Sequence, residues 1–292
     1  MTNPYVGLSA ASLGIAAVAL AALFRHVRGT TLLAAWSWAV VALLGLIAMA
    51  IPTQWYTNGE ALLQLAPLHY AVAIGVFCPC IALFGAKRPQ HRAWQWIVLS
   101  FWAVMAMPAG EALLFNRGFD VGNVRGYFIL ILIAAGLMNH LATRFGIAVL
   151  LFTAGQIVLL RPYFPEALFE PTDIIDRNWD KFGIVLFGAA GIWLWLLSRP
   201  ARRRPPLQRL WLDFRNLYGA AWSIRLEQRF NATAEQAAWP VRLGWRGFSA
   251  TGAEAERPAA GVDRLPPAAQ QEFRSLLRRF VSPAWIERRG AE

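Results

Sequence analysis

The sequence predicts an all-α integral membrane protein: a bundle of about seven transmembrane helices followed by a cytoplasmic amphipathic-helical tail. Of the 292 residues, 57% are hydrophobic and 15% are charged, whereas a soluble protein carries about 25% charged residues. The hydrophobic residues form long blocks, each near the roughly 20 residues that a helix needs to cross a bilayer. High hydrophobicity also excludes an intrinsically disordered chain. We therefore divide the chain into a transmembrane domain, residues 1–200, and a basic tail, residues 201–292.

Seven hydrophobic stretches are candidate spans. They comprise Tyr5–Phe24, Thr31–Ile51, Ala66–Phe84, Trp94–Phe115, Tyr127–Thr143, Phe145–Leu160 and Phe182–Leu197. Pro79 in the third stretch and Pro108 in the fourth predict kinks, because a proline leaves the carbonyl four residues earlier without its helical partner. Only Arg144 separates the fifth stretch from the sixth, so we expect a very tight turn there.

Charge is distributed unequally between the two sets of loops. The loops after the first, third and fifth spans hold basic residues and no acidic ones, namely Arg25, Arg28, Lys87, Arg88, Arg92 and Arg144. The opposite loops, together with Glu111 near the external end of the fourth span, hold all of the acidic residues that precede the tail. The positive-inside rule then predicts an external N-terminus and a cytoplasmic tail. The preference for arginine over lysine and the abundance of alanine indicate a bacterial source, and hence a bacterial plasma membrane.

The tail carries two predicted amphipathic helices. Apolar residues recur at helical spacing, in the first at Leu210, Phe214, Leu217, Tyr218, Ala221 and Ile224, and in the second at Phe273, Leu276, Leu277 and Phe280. Residues Trp239–Phe248 between them predict a hairpin, and Thr251–Pro267 a linker. The two helices either lie on the membrane surface or pack on each other as a small cytoplasmic domain. The net charge of +11 predicts contact with anionic lipid headgroups, and no nucleic-acid-binding motif accompanies it.

The local motif with the most specific chemistry is Cys78-Pro79-Cys80 in the third span. Thiolates are soft ligands that suit Cu(I), and a Cys-Pro-Cys in a membrane helix resembles the motif of copper-transporting P-type ATPases. The resemblance covers three residues, and the phosphorylation and nucleotide domains of such pumps are absent. Met138 and His140 lie in the same half of the bilayer, so a Cu(I) site of Cys78, Cys80, Met138 and His140 is one hypothesis. The other is that these are ordinary packing residues and that the protein has no cofactor.

A second set of polar residues belongs to the external side. Glu60, His69, Glu111 and Arg117 lie in loops or at span ends, and carboxylates beside a histidine can perform acid–base chemistry. They form a hypothetical substrate-binding site. The alternative is that they are polar only because loops must be solvated.

Three functions remain open from the sequence. The leading one is a subunit, scaffold or assembly factor of a membrane complex, with another membrane protein as its partner. This follows from the small number of polar groups in the spans and from the absence of a catalytic or phosphate-binding motif, which also argues against an enzyme. The alternatives are a small transporter or Cu(I)-handling protein, and a membrane enzyme with an outward-facing polar site.

Overall fold

The computed structural model describes residues 4–55, 59–115, 118–165, 168, 173–197, 205–251 and 265–291. Within these ranges the chain forms α-helices and one antiparallel β-hairpin. The helices are α1 (Pro4–Val27), α2 (Leu33–Trp55), α3 (Gly59–Gly75), α4 (Cys78–Phe84), α5 (Trp94–Met105), α6 (Met107–Phe115), α7 (Asn123–Leu141), α8 (Gly146–Leu160), α9 (Asp173–Leu197), α10 (Pro206–Gln236), α11 (Pro267–Arg278) and α12 (Pro283–Ala291), and the strands are β1 (Val241–Gly244) and β2 (Gly247–Ala250).

Long apolar helices make this a multi-pass membrane protein. Among the described residues, six helical segments are long and apolar enough to span a membrane: α1, α2, α3 with α4, α7, α8 and α9. The pair α5 and α6 makes a seventh if the two helices, bent by 55°, are counted as one span. The boundaries differ most at α9, which begins at Asp173 rather than at the predicted Phe182.

Both breaks within spans occur beside a proline. Helix α3 ends at Gly75, the residue whose carbonyl would have bonded to the amide that Pro79 lacks, and α4 begins at Cys78. Between them the Phe77 amide donates to the Ile74 carbonyl at 3.0 Å, a tighter turn than an α-helix makes. The second break lies at Ala106, two residues before Pro108: α5 ends at Met105 and α6 begins at Met107.

Six spans form a ring, in the order α1, α2, α3 with α4, α7, α8 and α9, and α9 packs against α1.

Small residues allow the closest approaches between neighbouring spans. A Cβ added to Gly188 of α9 would lie 2.7 Å from the Ser12 Cβ of α1, and one added to Gly155 of α8 would lie 3.0 Å from the Gly183 carbonyl. Packing around the ring is loosest between α4 and α7. The pair α5 and α6 lies outside the ring against α3 and α4.

The tail helices bury their apolar faces against one another. Large side chains that are completely or almost completely buried form the centre of this core: Trp211, Phe214, Tyr218, Phe230, Phe273 and Trp285. Strands β1 and β2 pair at the place of the predicted hairpin, while most of the predicted linker lies outside the described residues. Because the two predicted amphipathic helices face each other, their apolar faces are not available to a membrane surface.

One predicted member of the tail's apolar face is wrong. Ile224 is 47% exposed, whereas Trp222 and Leu226 beside it are buried. The cause is a kink at Gly219, whose φ of 73° and ψ of −168° are not helical. The kink rotates the second half of α10 relative to the first, so a periodicity counted through it assigns Ile224 to the wrong face.

The tail is hydrogen-bonded to the loops at one end of the bundle. The Thr31 amide donates to the Phe280 carbonyl at 2.9 Å, and the Ser282 amide donates to the Gly29 carbonyl at 2.7 Å. The Tyr218 hydroxyl donates to the Phe280 carbonyl at 2.9 Å and lies 3.0 Å from the Thr31 hydroxyl. Val27, Leu32 and Ala86 of the bundle belong to the same hydrophobic core as the tail. The tail and this end of the bundle therefore form one packed unit.

The kink in α10 also fits the end of α7. The Asn139 side-chain carbonyl accepts a hydrogen bond from the Ala221 amide at 2.9 Å, one of the amides left free by the kink. A Cβ on Gly219 would overlap the Asn139 side chain and lie 2.6 Å from its backbone carbonyl oxygen. Gly219 is thus required both by its positive φ and by the close approach of α7.

We expect Gly219→Ala to detach the tail from the bundle. The positive φ costs an alanine about 1–2 kcal/mol, and the overlap with Asn139 adds about 1–3 kcal/mol. Thermal unfolding of the purified protein should shift down by several degrees, and trypsin should cleave the tail faster. Gly14→Ala in α1 is the control, because nothing lies within 4 Å of its added Cβ. Equal behaviour of the two variants would contradict the assignment.

Candidate functional site

A chamber of about 430 Å³ lies inside the ring of spans, at the end next to the tail. Most of its lining is apolar and comes from all six spans of the ring, including Ala16, Ala39, Leu43, Pro79, Ala148, Phe152, Ala190 and Leu194. Protein interiors are close-packed, with few voids larger than a water molecule. This chamber instead falls in the range of small-molecule pockets, roughly 300–1,000 Å³. It is therefore too large to be a packing defect.

The polar groups of the chamber gather at its tail end. They are His26 at the end of α1, Asn139 and His140 at the end of α7, Arg144 in the following turn, Asp213 and Asn216 of α10, and Arg289 of α12. Spans and tail therefore contribute jointly to one polar rim. The arrangement combines an apolar interior with a polar end, as a site for an amphiphilic molecule would.

Arg289 joins the tail to His26 within this rim. Its guanidinium forms an ion pair with the Asp213 carboxylate and lies 3.1 Å from His26 Nδ1. A guanidinium can only donate, so Nδ1 accepts this hydrogen bond and the ring proton resides on Nε2. His26 Nε2 is buried and has no partner among the described residues. The rim therefore holds one N–H donor that nothing in the described chain satisfies.

Arg144 supplies a second unsatisfied donor. Its backbone amide donates to the Asn216 side-chain oxygen at 3.3 Å, and its guanidinium lies 4.8 Å from the centre of the Phe145 ring. The Nε atom is buried without a partner in the described part of the chain. Burial lowers the pKa of the Arg144 guanidinium and the Asp213 carboxylate opposes this shift, but an arginine remains charged. Because Asp213 is paired with Arg289, the charge on Arg144 has no ion pair of its own among the described residues.

The four hypothetical Cu(I) ligands are not brought together. Cys80 and His140 both line the chamber, but the His140 ring is already engaged: Nδ1 lies 3.1 Å from the Asn139 amide nitrogen, and the ring also makes a hydrogen bond with the Leu217 backbone. Cys78 is buried among Ala82 and Val98 instead, and Met138 is 71% exposed. No group of three or more His, Cys, Asp or Glu side chains in the described residues is arranged to hold a metal. Cu(I) binding stays a prediction.

Of the hypothetical substrate site on the other side, the structure describes the side chains of His69 and Glu111. His69 is half-buried and packs edge-to-face against Trp179, with ring centres 4.7 Å apart, while Glu111 is exposed. The Glu60 side chain and Arg117 lie outside the described residues. Where side chains are described, no hydrogen bond or ion pair joins these residues to one another.

Of the rim residues, only His140 was predicted from the sequence to belong to a site, as a hypothetical Cu(I) ligand. Arg144 was counted among the basic loop residues. The sequence holds a signal for Arg144 alone, since a turn this short between two spans keeps its arginine at the membrane interface. Asp213 and Arg289 meet only because the tail folds back on itself.

Comparison of the chain with models of protein families, with curated proteins and with solved structures found no match. The function must therefore be inferred from the chemistry of the chain's own residues.

We expect Asp213→Asn to loosen the tail at the chamber. The substitution leaves the half-buried Arg289 without its anion and removes the carboxylate nearest to Arg144. A cost of roughly 2 kcal/mol is expected, between that of exposed and buried ion pairs. Hydrogen–deuterium exchange of α12 measures it. Asp180→Asn is a matched control, because Asp180 is similarly exposed but pairs with its chain neighbour Lys181. Exchange in α12 that is equal in the two variants would overturn this role of Asp213.

Proposed function

We propose that this protein binds one lipid-like molecule, with the molecule's apolar chain in the chamber and its polar end at the rim. The observation that carries the proposal is the chamber itself: apolar walls from six spans, and a polar end to which the tail contributes Asp213, Asn216 and Arg289. An amphiphile has the matching construction, an apolar chain with a polar end.

Energetics supports an occupied chamber. Apolar walls that contact nothing lose dispersion and hydrophobic free energy relative to walls that are covered. The walls of this space of about 430 Å³ are mostly apolar. Water is a poor filler, because a buried water needs several polar partners and most of these walls offer none. The surrounding bilayer offers acyl chains.

Helices α4 and α7 make few close backbone contacts with each other, which supports lateral access from the bilayer between them. Cys80 of α4 and Gly136 of α7 both line the chamber, and a Cβ added to Gly136 would be at ordinary contact distance, 3.8 Å, from the Cys80 sulfur. We place the ligand in the leaflet next to the tail. From the arginine-rich loops, we propose that this is the cytoplasmic leaflet of a bacterial inner membrane, with the N-terminus outside.

The functions predicted from the sequence relate to this proposal in different ways. A subunit, scaffold or assembly factor that carries a bound lipid would use the same chamber, so that role remains a prediction compatible with it. A Cu(I)-handling role would depend on Cys80 and His140 alone among the four residues first considered. An outward-facing enzyme would need the external residues, which lie away from the chamber.

We expect Ala39→Phe to block binding, because the ring would fill part of the chamber that Ala39 lines. The probe is a dodecanol that carries a diazirine on its chain, crosslinked by light to the protein in phosphatidylcholine nanodiscs and located by peptide mass spectrometry. The wild type should be labelled on the chamber walls, for example at Ala148–Phe152. Labelling there should fall several-fold in Ala39→Phe, and the empty protein should gain about 1–2 kcal/mol of stability from burial of the ring.

Ala48→Phe is the matched control, since Ala48 lies in the same helix but is exposed and does not line the chamber. It should leave labelling of the chamber unchanged. Labelling confined to outward-facing residues such as Leu114 in the wild type would refute the proposal, as would equal chamber labelling in the two alanine variants.

A further inference from the structure

We infer that the bound molecule has an anionic, oxygen-bearing headgroup, a phosphate or a carboxylate, held by Arg144 and His26. This inference rests on the proposed function, because it names the headgroup of the ligand in the same chamber. It is carried by the hydrogen-bonding state and the charge of the rim.

Two donors at the rim lack an acceptor. Arg144 Nε and His26 Nε2 are both buried and unpartnered among the described residues, and both residues line the chamber. Most buried polar side-chain atoms in folded proteins have a partner, so two orphaned donors at one end of one cavity require a common explanation. Oxygens of a phosphate or carboxylate accept hydrogen bonds and donate none when ionised.

The charge of the rim has the sign that an anion needs. The Asp213 carboxylate is engaged by Arg289, which also donates to His26. Arg144 is left as a cation partly withdrawn from water: its guanidinium lies against the Phe145 ring, and the Asp213 carboxylate that acts on it is already paired with Arg289. A neutral headgroup would satisfy the donors but not this charge, and a cationic headgroup would be repelled. Charge-assisted hydrogen bonds to an anion satisfy both.

Arg144 is also fixed before any ligand arrives. Its turn joins α7 to α8, and the Asn216 side chain holds its backbone amide. The Thr143 hydroxyl donates to the His140 carbonyl at 2.6 Å and accepts from the Phe145 amide at 3.2 Å, which closes the turn. These bonds fix the backbone from which the Arg144 side chain extends, and its guanidinium lies against the Phe145 ring, so less conformational entropy is lost on binding than with a free surface side chain. The site is therefore built into the fold rather than assembled from free surface arginines.

The anion could reach the rim as part of a lipid or as a free ion. The apolar walls beyond the rim favour a headgroup attached to a chain, because a free ion would leave them unfilled. The experiment separates the two by using three competitors: dodecyl phosphate, dodecanol, which has the same chain without the charge, and inorganic phosphate, which has no chain.

The test measures how much of each competitor halves the labelling of the full-length protein by the diazirine-bearing dodecanol. Wild type should need at least about tenfold less dodecyl phosphate than dodecanol, and inorganic phosphate should not compete. Arg144→Gln should lose the preference for dodecyl phosphate over dodecanol. Dodecanol should compete as it does with the wild type, which also shows that the variant is folded. Arg144→Lys should restore part of the preference. Arg278→Gln removes an exposed arginine of α11 and should keep the wild-type ratio.

Each other result has a distinct meaning. Equal competition by dodecyl phosphate and dodecanol in the wild type would overturn the anionic headgroup but leave the chamber as a lipid site. No labelling of the chamber by the uncharged probe would instead refute the proposed function. An unchanged ratio in Arg144→Gln, or its loss in Arg278→Gln, would overturn the assignment to Arg144. Competition by inorganic phosphate at the same concentration as dodecyl phosphate would overturn the lipid source.

Discussion

The chamber depends on one interaction: the packing of the tail against the short loops at one end of the bundle, which we call the seating of the tail. Its centre is the buried Tyr218 hydroxyl, which donates to Phe280 and lies against Thr31, while Thr31 donates to the Ala86 carbonyl at 2.5 Å. Burial raises the pKa of Tyr218, so the hydroxyl keeps its proton. One side chain thereby links two loops of the bundle to two segments of the tail. Without this seating Asp213 and Arg289 would not reach the chamber.

The loops that contact the tail are the arginine-rich ones, so a basic tail lies on basic loops. The repulsion expected between their charges is avoided by the way in which the contacts are made. Most contacts use backbone groups and neutral side chains. The Arg88 amide donates to the Arg279 carbonyl at 2.9 Å, and the Trp222 indole donates to the Leu83 carbonyl at 2.9 Å. The arginine side chains can then point away from the contact, as the exposed Arg28, Arg278 and Arg279 do. Like charges are kept apart while the backbones meet.

The sequence was sufficient for the parts of the fold that depend on local pattern. Span positions follow from hydrophobic length, and both breaks follow from Pro79 and Pro108. It failed at Ile224, because the kink at Gly219 reflects a tertiary contact with Asn139 rather than any local signal. The candidate site was missed for the same reason: Asp213 and Arg289 are far apart in sequence, and no periodicity predicts their pairing. Cys78 and Met138 were grouped with Cys80 and His140 because all four lie at a similar predicted depth in the membrane. Depth does not specify which side of a helix a residue occupies.

Ligand binding and tail seating share the same atoms, and this has a thermodynamic consequence for the proposed site. Arg144 belongs to the bundle, but its amide is held by Asn216 of the tail, and His26 is oriented by Arg289 of the tail. A headgroup that accepts hydrogen bonds from Arg144 and His26 therefore binds the protein more tightly when the tail is attached to the bundle than when it is detached. Linkage is reciprocal, so whatever stabilises the seated tail must tighten ligand binding by the same factor. In the proposed site the tail is therefore part of the binding surface, and its attachment to the bundle is coupled to the filling of the chamber.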